Sequence, residues 1–75
     1  MKNTLSQRFG ACVRSLRQET GMSQTVFGEK AGFNQTYLSR LENGKANPTL
    51  HAMEIIAATF KMTVFDLFDR IKSQR

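Results

Sequence analysis

Apolar residues recur at three- and four-residue steps along most of the chain, which is the spacing of one face of an α-helix. The first such stretch predicts a helix over about residues 5–20. Thr4 is expected to cap this helix, with Gln7 completing a capping box, and Gly21 is expected to end it. The residues expected to form its buried stripe are Leu5, Phe9, Cys12, Val13 and Leu16.

The same pattern predicts four more helices, over about residues 24–31, 35–43, 50–60 and 64–72. Ser23, Asn34 and Thr49 precede three of them and are favourable N-cap residues. Strand-like alternation is missing, so the sequence predicts an all-α fold. The side chains expected to face inward are Val26, Phe27, Ala31, Leu38, Leu41, Leu50, Met53, Ile56, Ala57, Phe60, Val64, Leu67, Phe68 and Ile71.

The single proline and the five glycines are expected to mark the places where helices end. Gly28 nevertheless falls within the second helix, where glycine costs about 0.5–1 kcal/mol relative to alanine. We expect that a neighbouring helix approaches closely at this position.

The composition narrows the classes of function. Seventy-five residues form one small domain, and a net charge of +5 with a pI of about 10 suits an anionic partner, either nucleic acid or a membrane surface. No apolar run is long enough to span a bilayer and the N-terminus has no secretory h-region, so a cytoplasmic location is expected. With a lone Cys12, a lone His51 and no paired carboxylates or nucleophile–base set, we expect no metal, cofactor, small-molecule ligand or enzyme activity.

Residues 23–45 suggest a partner more directly than charge does. Two short helices joined by a turn that contains glycine form a helix-turn-helix unit. The second helix begins with polar side chains that suit the major groove: Gln35 for an adenine edge, Thr36 for a thymine methyl group and Arg40 for guanine. Gln24 and Lys45 lie where they could contact phosphates. A solvated helix face or a surface ion pair is the alternative interpretation of Gln35 and Arg40.

Several motifs together resemble the Cro/C1-type helix-turn-helix family of phage repressors and XRE-like regulators. They are Leu16-Arg17, Gly21-Met22-Ser23-Gln24, Ala31-Gly32, Tyr37-Leu38-Ser39-Arg40-Leu41-Glu42-Asn43-Gly44 and Asn47-Pro48-Thr49-Leu50, and the resemblance covers about residues 5–68. It implies a five-helix, lambda-repressor-like fold. It also implies a homodimer that binds double-stranded DNA, with two recognition helices in half-sites about 34 Å apart.

The resemblance also implies roles for individual residues. Arg17 and Glu42 match a buried ion pair of the family, whereas Gly28 and Phe27 replace its usual alanine and leucine. The base-reading positions are Asn34, Gln35, Thr36 and Arg40. The positions that contact or flank the DNA backbone are Arg17, Ser23, Gln24, Tyr37, Ser39, Asn43 and Lys45.

Ile55, Phe65 and Phe68 are assigned to a dimer interface, since Ile55 and Phe65 are expected to be exposed and close to one another. Within the family, the chain is most similar to the controller proteins of restriction–modification systems. Small phage repressors and plasmid regulators share most of the same motifs, and they remain an alternative. A DNA-binding antitoxin is a further alternative, although the short segment after Ile71 offers little toxin-binding surface.

Overall fold

Five α-helices follow one another in the computed structural model, which describes residues 4–73. They are α1 Leu5–Glu19, α2 Gln24–Ala31, α3 Gln35–Glu42, α4 Leu50–Thr59 and α5 Val64–Ser73. No strand occurs within the described residues. The prediction of an all-α, five-helix fold is confirmed, and the helix ends fall within one residue of the expected positions.

The helices begin where short polar side chains cap them. The side chains of Thr4, Ser23, Asn34 and Thr49 each accept a hydrogen bond from the backbone N–H three residues further on. Each bond satisfies one of the N–H groups that a first helical turn leaves without an intrahelical partner. These four caps are formed by residues within three positions of one another, which is why the sequence was enough to predict them.

Helix ends depend on residues in the left-handed conformation. Gly21, Gly32 and Gly44 have φ values of +75°, +82° and +75°, after α1, α2 and α3. Lys61 takes the same conformation after α4, with φ +61°, although its side chain makes this conformation less favourable than it is for glycine.

The core lies where all five helices meet. Phe27 stacks on Phe60 with ring centroids 4.7 Å apart, and Phe9 meets the edge of Phe68 at 6.3 Å. The largest fully buried side chains are Phe27, Leu38, Leu41, Ile56, Leu67, Val13 and Cys12.

Three apolar residues predicted to face inward are instead exposed. Leu5, Val26 and Leu50 are 64%, 41% and 73% exposed. Each lies in the first turn of its helix, beyond the part that neighbouring helices cover. Periodicity gives the angle of a side chain around the helix axis but not whether another element covers that level of the axis.

Two glycines lie inside helices because another backbone passes close to them. The expectation that glycines mark helix ends is therefore wrong for Gly10, where a Cβ would collide with the carbonyl of Leu41. A Cβ on Gly28 would lie 2.5 Å from the carbonyl oxygen of Phe33 and 3.3 Å from Leu38. Space is restricted at Gly28 as expected, but the nearest atom belongs to the turn that follows α2, and the neighbouring helix α3 contributes only the Leu38 side chain.

Candidate nucleic-acid interface

The polar face of α3 points away from the core. Leu38, Leu41 and Glu42 are buried on one side of the helix, and Phe33 in the preceding turn packs against Tyr37 with ring centroids 5.3 Å apart. These contacts fix which side of α3 is outward. The exposed residues at and beyond its ends include Asn34, Gln35, Thr36, Arg40, Asn43 and Lys45.

The start of α3 carries three of the four predicted base-reading residues. Asn34 is the N-cap, and its side-chain oxygen accepts a 2.7 Å bond from the N–H of Tyr37. Gln35 and Thr36 follow in the first turn, and the Gln35 side-chain oxygen accepts a 3.5 Å hydrogen bond from the Thr25 hydroxyl. The Asn34 oxygen is therefore engaged in capping, while Gln35 and Thr36 lie on the exposed face.

Arg40 lies at the other end of the helix, apart from Gln35. Its Nη2 donates a 2.7 Å hydrogen bond to the carbonyl oxygen of Lys45, so the guanidinium lies against the loop that follows α3. Asn43 lies in the same region and donates from its side chain to the Ser39 carbonyl at 2.8 Å. Arg40, Asn43 and Lys45 thus form a polar cluster at the C-terminal end of α3, and Ser39 is partly buried beside it.

A buried ion pair supports this face from behind. Arg17 on α1 donates to Glu42 at the end of α3 through Nε at 2.7 Å and Nη2 at 3.0 Å. Gln24 on α2 donates to the same carboxylate at 3.0 Å, and Arg17 also donates to the Met22 carbonyl at 3.0 Å. Paired hydrogen bonds from one guanidinium to one carboxylate define orientation as well as adding energy. The network therefore ties α1, α2 and α3 into one unit.

The ion pair also affects ionisation. The hydrogen bond to Glu42 raises the pKa of Arg17, while partial burial of the guanidinium opposes that change. Glu42 is only 7% exposed, so its carboxylate depends on Arg17 and Gln24 in place of water. The Arg17–Glu42 pair that the family resemblance implies is thus present.

Thr25 makes a contact that the sequence does not predict. This residue is exposed in the first turn of α2, and its contact with Gln35 spans ten positions across the turn between the helices. An exposed threonine beside an N-cap gives no local signal of such a contact. Only the packing of α2 against α3 brings the two side chains together.

The three residues predicted to form a dimer interface differ in exposure. Phe65 is 80% exposed, whereas Phe68 is partly buried against Phe9 and Ile55 is partly buried on α4. Phe65 lines a surface recess with Glu54, which lies about 100° from Ile55 around the α4 axis. Wide exposure is therefore found at Phe65 but not at Ile55 or Phe68.

An apolar groove of about 200 Å³ lies beside Phe68, between the start of α1, the α3–α4 loop and the helices α4 and α5. Ser6 and Asn47 border it and are joined by a 3.0 Å hydrogen bond. The apolar residues that line the groove are Leu5, Phe9, Pro48, Met53 and Phe68.

The same structure describes residues 4–73 with respect to metal ligands, thiol chemistry and membrane-spanning helices. No group of three or more His, Cys, Asp and Glu side chains there is placed to hold a metal ion. Burial raises the pKa of the Cys12 thiol, which disfavours the reactive thiolate. Within the same range, every helix is too short or too polar to cross a membrane.

The sequence of this chain is similar to those of known helix-turn-helix proteins. A family profile described as a helix-turn-helix domain matches residues 8–66. The chain is 37% identical over 73 residues to the control protein C.MunI of a Mycoplasma species, covering 96% of this chain and 99% of that one. It is also 34% identical over 61 residues to the regulator SinR of Bacillus subtilis, covering 80% of this chain but only 55% of that longer protein.

Solved structures share the fold. The restriction–modification controller protein C.AhdI of Aeromonas hydrophila superposes with a TM-score of 0.78 at 27% identity, over 83% of this chain and 94% of that one. The regulator ClgR of Corynebacterium glutamicum reaches a TM-score of 0.89 at 22% identity, over 96% of this chain and 92% of that one. The chain therefore belongs to the Cro/C1-type helix-turn-helix family of DNA-binding transcription regulators.

Proposed function

We propose that this regulator binds a pseudo-palindromic operator as a homodimer, with α3 of each protomer in the major groove of one half-site. The observation that carries the proposal is the support of α3: its inner side is anchored by the buried Arg17–Glu42–Gln24 network, and its polar face is exposed. A helix held in this way presents base-contacting side chains without first having to be ordered.

Base readout is assigned to four side chains. Gln35 contacts a base edge through its amide, Thr36 packs against a thymine methyl group, and Asn34 contributes its side-chain NH₂ group. Arg40 contacts guanine after exchanging its single bond to the Lys45 carbonyl for the two acceptors of the guanine edge. Arg40 would thereby replace one hydrogen bond to the Lys45 carbonyl with two charge-assisted hydrogen bonds to guanine.

Backbone contacts are assigned to residues around the two helix starts and the loop after α3. The net charge of +5 supports a strong electrostatic contribution to affinity. Ser23 and Gln24 begin α2, where free backbone N–H groups favour phosphate. The other residues assigned to phosphates or flanking contacts are Tyr37, Ser39, Asn43 and Lys45. The predicted phosphate contact of Arg17 is not retained, because its guanidinium donates to Glu42 and to the Met22 carbonyl behind α3.

Dimerisation is assigned to the apolar surface of α4 and α5. Phe65 is 80% exposed, and Phe68, one turn further along α5, borders the apolar groove. Ile55 adds to this surface from its partly buried position on α4. Exposed apolar groups that cluster are typical of protein interfaces, and a two-fold interface would bring two copies of α3 to the two half-sites.

Within the family, we assign the protein to the controllers of restriction–modification systems. The support is the alignment with C.MunI, which covers nearly the whole length of both chains, whereas the chain spans about half of the longer regulator SinR. A methyltransferase gene and an endonuclease gene beside the gene of this protein would support the assignment. Phage immunity genes in their place would contradict it.

Selection of preferred duplexes from a random library tests operator binding. We expect enrichment of two inverted half-sites whose centres lie about one helical turn or a multiple of it apart. If no sequence is enriched, even at low salt, the protein is not a sequence-specific regulator.

Two variants then separate base contacts from phosphate contacts. Arg40→Ala should cost about 1–3 kcal/mol on the selected site and relax one base position. Lys45→Ala should weaken binding uniformly across sequences and reduce the salt slope by about one per phosphate contact. Lys72→Ala removes an exposed lysine from α5 and serves as the control. Unchanged base preference in Arg40→Ala contradicts the role assigned to Arg40.

A further inference from the structure

We infer that Thr25 is a positioning residue for base recognition, which orients the side-chain amide of Gln35. Its hydroxyl donates to Gln35 Oε1 at 3.5 Å, and both residues are exposed at the start of their helices. The inference rests on the proposed function, since it concerns how a base-reading side chain is held.

The other polar groups at the start of α2 are engaged elsewhere. The Gln24 side chain donates to the buried carboxylate of Glu42 at 3.0 Å. The Ser23 hydroxyl accepts the capping bond from the Val26 N–H at 3.1 Å. Thr25 therefore supplies the hydrogen bond from α2 that reaches Gln35, while Gln24 braces the opposite end of α3.

This contact favours one orientation of the Gln35 amide, with its oxygen towards α2. A glutamine amide has an acceptor oxygen and a donor NH₂ group, and rotation about its last torsion exchanges them at little cost. Because the Thr25 hydroxyl holds the oxygen towards α2, the NH₂ group is turned away from α2. The oxygen retains one lone pair for a second donor.

The expected ligand is a base edge that accepts hydrogen bonds. In the major groove these acceptors are purine N7, guanine O6 and thymine O4. Without the hydroxyl, the amide is free to turn and to offer its oxygen to a donor such as cytosine N4. Loss of Thr25 should therefore weaken discrimination at the base pair that Gln35 reads and leave the other positions unchanged.

Thr25→Val tests this inference because it removes the hydroxyl and retains the side-chain shape. Binding is measured on duplexes in which each position of the selected half-site is varied, and Gln35→Ala identifies the position that Gln35 reads. We expect Thr25→Val to reduce the preference at that position about two- to tenfold. Thr25→Ser should retain it, and Thr25→Val combined with Gln35→Ala should lose no more than Gln35→Ala alone.

Thr20→Val is the matched control, since Thr20 is also exposed but its hydroxyl bonds only to the Arg17 carbonyl within α1. Circular dichroism and thermal unfolding of each variant separate a change in recognition from a loss of folding. An unchanged base preference in folded Thr25→Val overturns the positioning role. So does an equal loss of affinity on all sequences, which would make the Thr25 hydroxyl a phosphate contact. If the wild-type protein shows no base preference, the proposed function itself fails.

Discussion

Glu42 is a buried carboxylate in a chain of only 75 residues. A charge in such a position is stable only when hydrogen bonds replace water, and here two donors from Arg17 and one from Gln24 do so. The same bonds determine where the end of α3 lies. One residue therefore links the stability of the protein to the orientation of α3.

Glu42→Gln should destabilise the protein strongly, because it leaves the partly buried Arg17 guanidinium without a counter-charge. The expected loss is about 3–5 kcal/mol in the free energy of unfolding, measured by urea denaturation. Glu54→Gln, at an exposed position on α4, should change stability by less than about 0.5 kcal/mol. Equal effects of the two substitutions would show that the ion pair has no special structural role.

At the scale of the helix, some features depend on residues close in sequence and others on residues far apart in sequence. Caps such as Thr4 with Gln7 form between residues close in sequence, and the sequence predicted them. The requirement for glycine at position 10 comes from Leu41 and Glu42, more than thirty positions away. No periodicity within α1 could have predicted it, because α1 and α3 meet there only in the folded protein.

Gly10→Ala should destabilise the protein, although alanine favours helices. A methyl group at position 10 would collide with backbone on α3, which side-chain rearrangement cannot relieve, so we expect a loss of about 1–3 kcal/mol. At the neighbouring exposed position 11, the protein should instead be more stable with alanine than with glycine. Ala11→Gly should therefore cost about 0.5–1 kcal/mol. Urea denaturation of both variants checks the contrast, and a stabilised Gly10→Ala would contradict the observed packing.

The start of α5 should confer sensitivity to acid. The Asp66 carboxylate accepts a hydrogen bond from the Thr63 N–H, and the Asp66 N–H donates to the Thr63 hydroxyl. The hydrogen bond from the Thr63 N–H, with a smaller contribution from the Thr63 side chain, lowers the pKa of the Asp66 carboxyl below its ordinary value of 3.8. The contribution of the carboxylate to stability is therefore present above that value and is lost as the pH falls through the lower folded-state pKa.

Asp66→Asn should accordingly show less acid destabilisation than the wild type. Thermal unfolding measured from about pH 5 down to about pH 2 compares the two proteins, with Asp69→Asn on the same helix as the control. Asp69→Asn should retain the wild-type dependence on pH. If Asp66→Asn also retains it, the capping carboxylate does not contribute to acid sensitivity.

At the scale of the whole molecule, the polar face of α3 and the apolar surface of α4 and α5 are separate regions. The first carries Gln35, Thr36 and Arg40, and the second carries Phe65 and the groove beside Phe68. In the proposed dimer, the first surface would contact DNA while the second contacts another copy of the chain. Linking two half-site interactions through a dimer increases affinity for the full operator without any new DNA contact.

Phe65→Glu should dissociate the dimer, because the interface would have to bury an unpaired charge. Sedimentation at micromolar concentration should show a monomer, and affinity should fall on the full operator but not on an isolated half-site. Gln18→Glu adds the same charge at an exposed position on α1. It should neither dissociate the dimer nor weaken binding to the full operator. A wild-type protein that is monomeric at this concentration, or an unchanged dimer in Phe65→Glu, would contradict the proposed interface.

The five helices, their N-caps and the helix-turn-helix unit could be predicted from the order of residues, because they depend on periodicity and on groups a few residues apart. The family motifs of the sequence also indicated the Arg17–Glu42 pair. Tertiary structure alone decided that Leu5, Val26 and Leu50 are exposed, that Gly10 must lack a side chain, that Arg40 bonds to Lys45 and that Thr25 reaches Gln35. Such features depend on distances between elements, which are established only when the helices pack together.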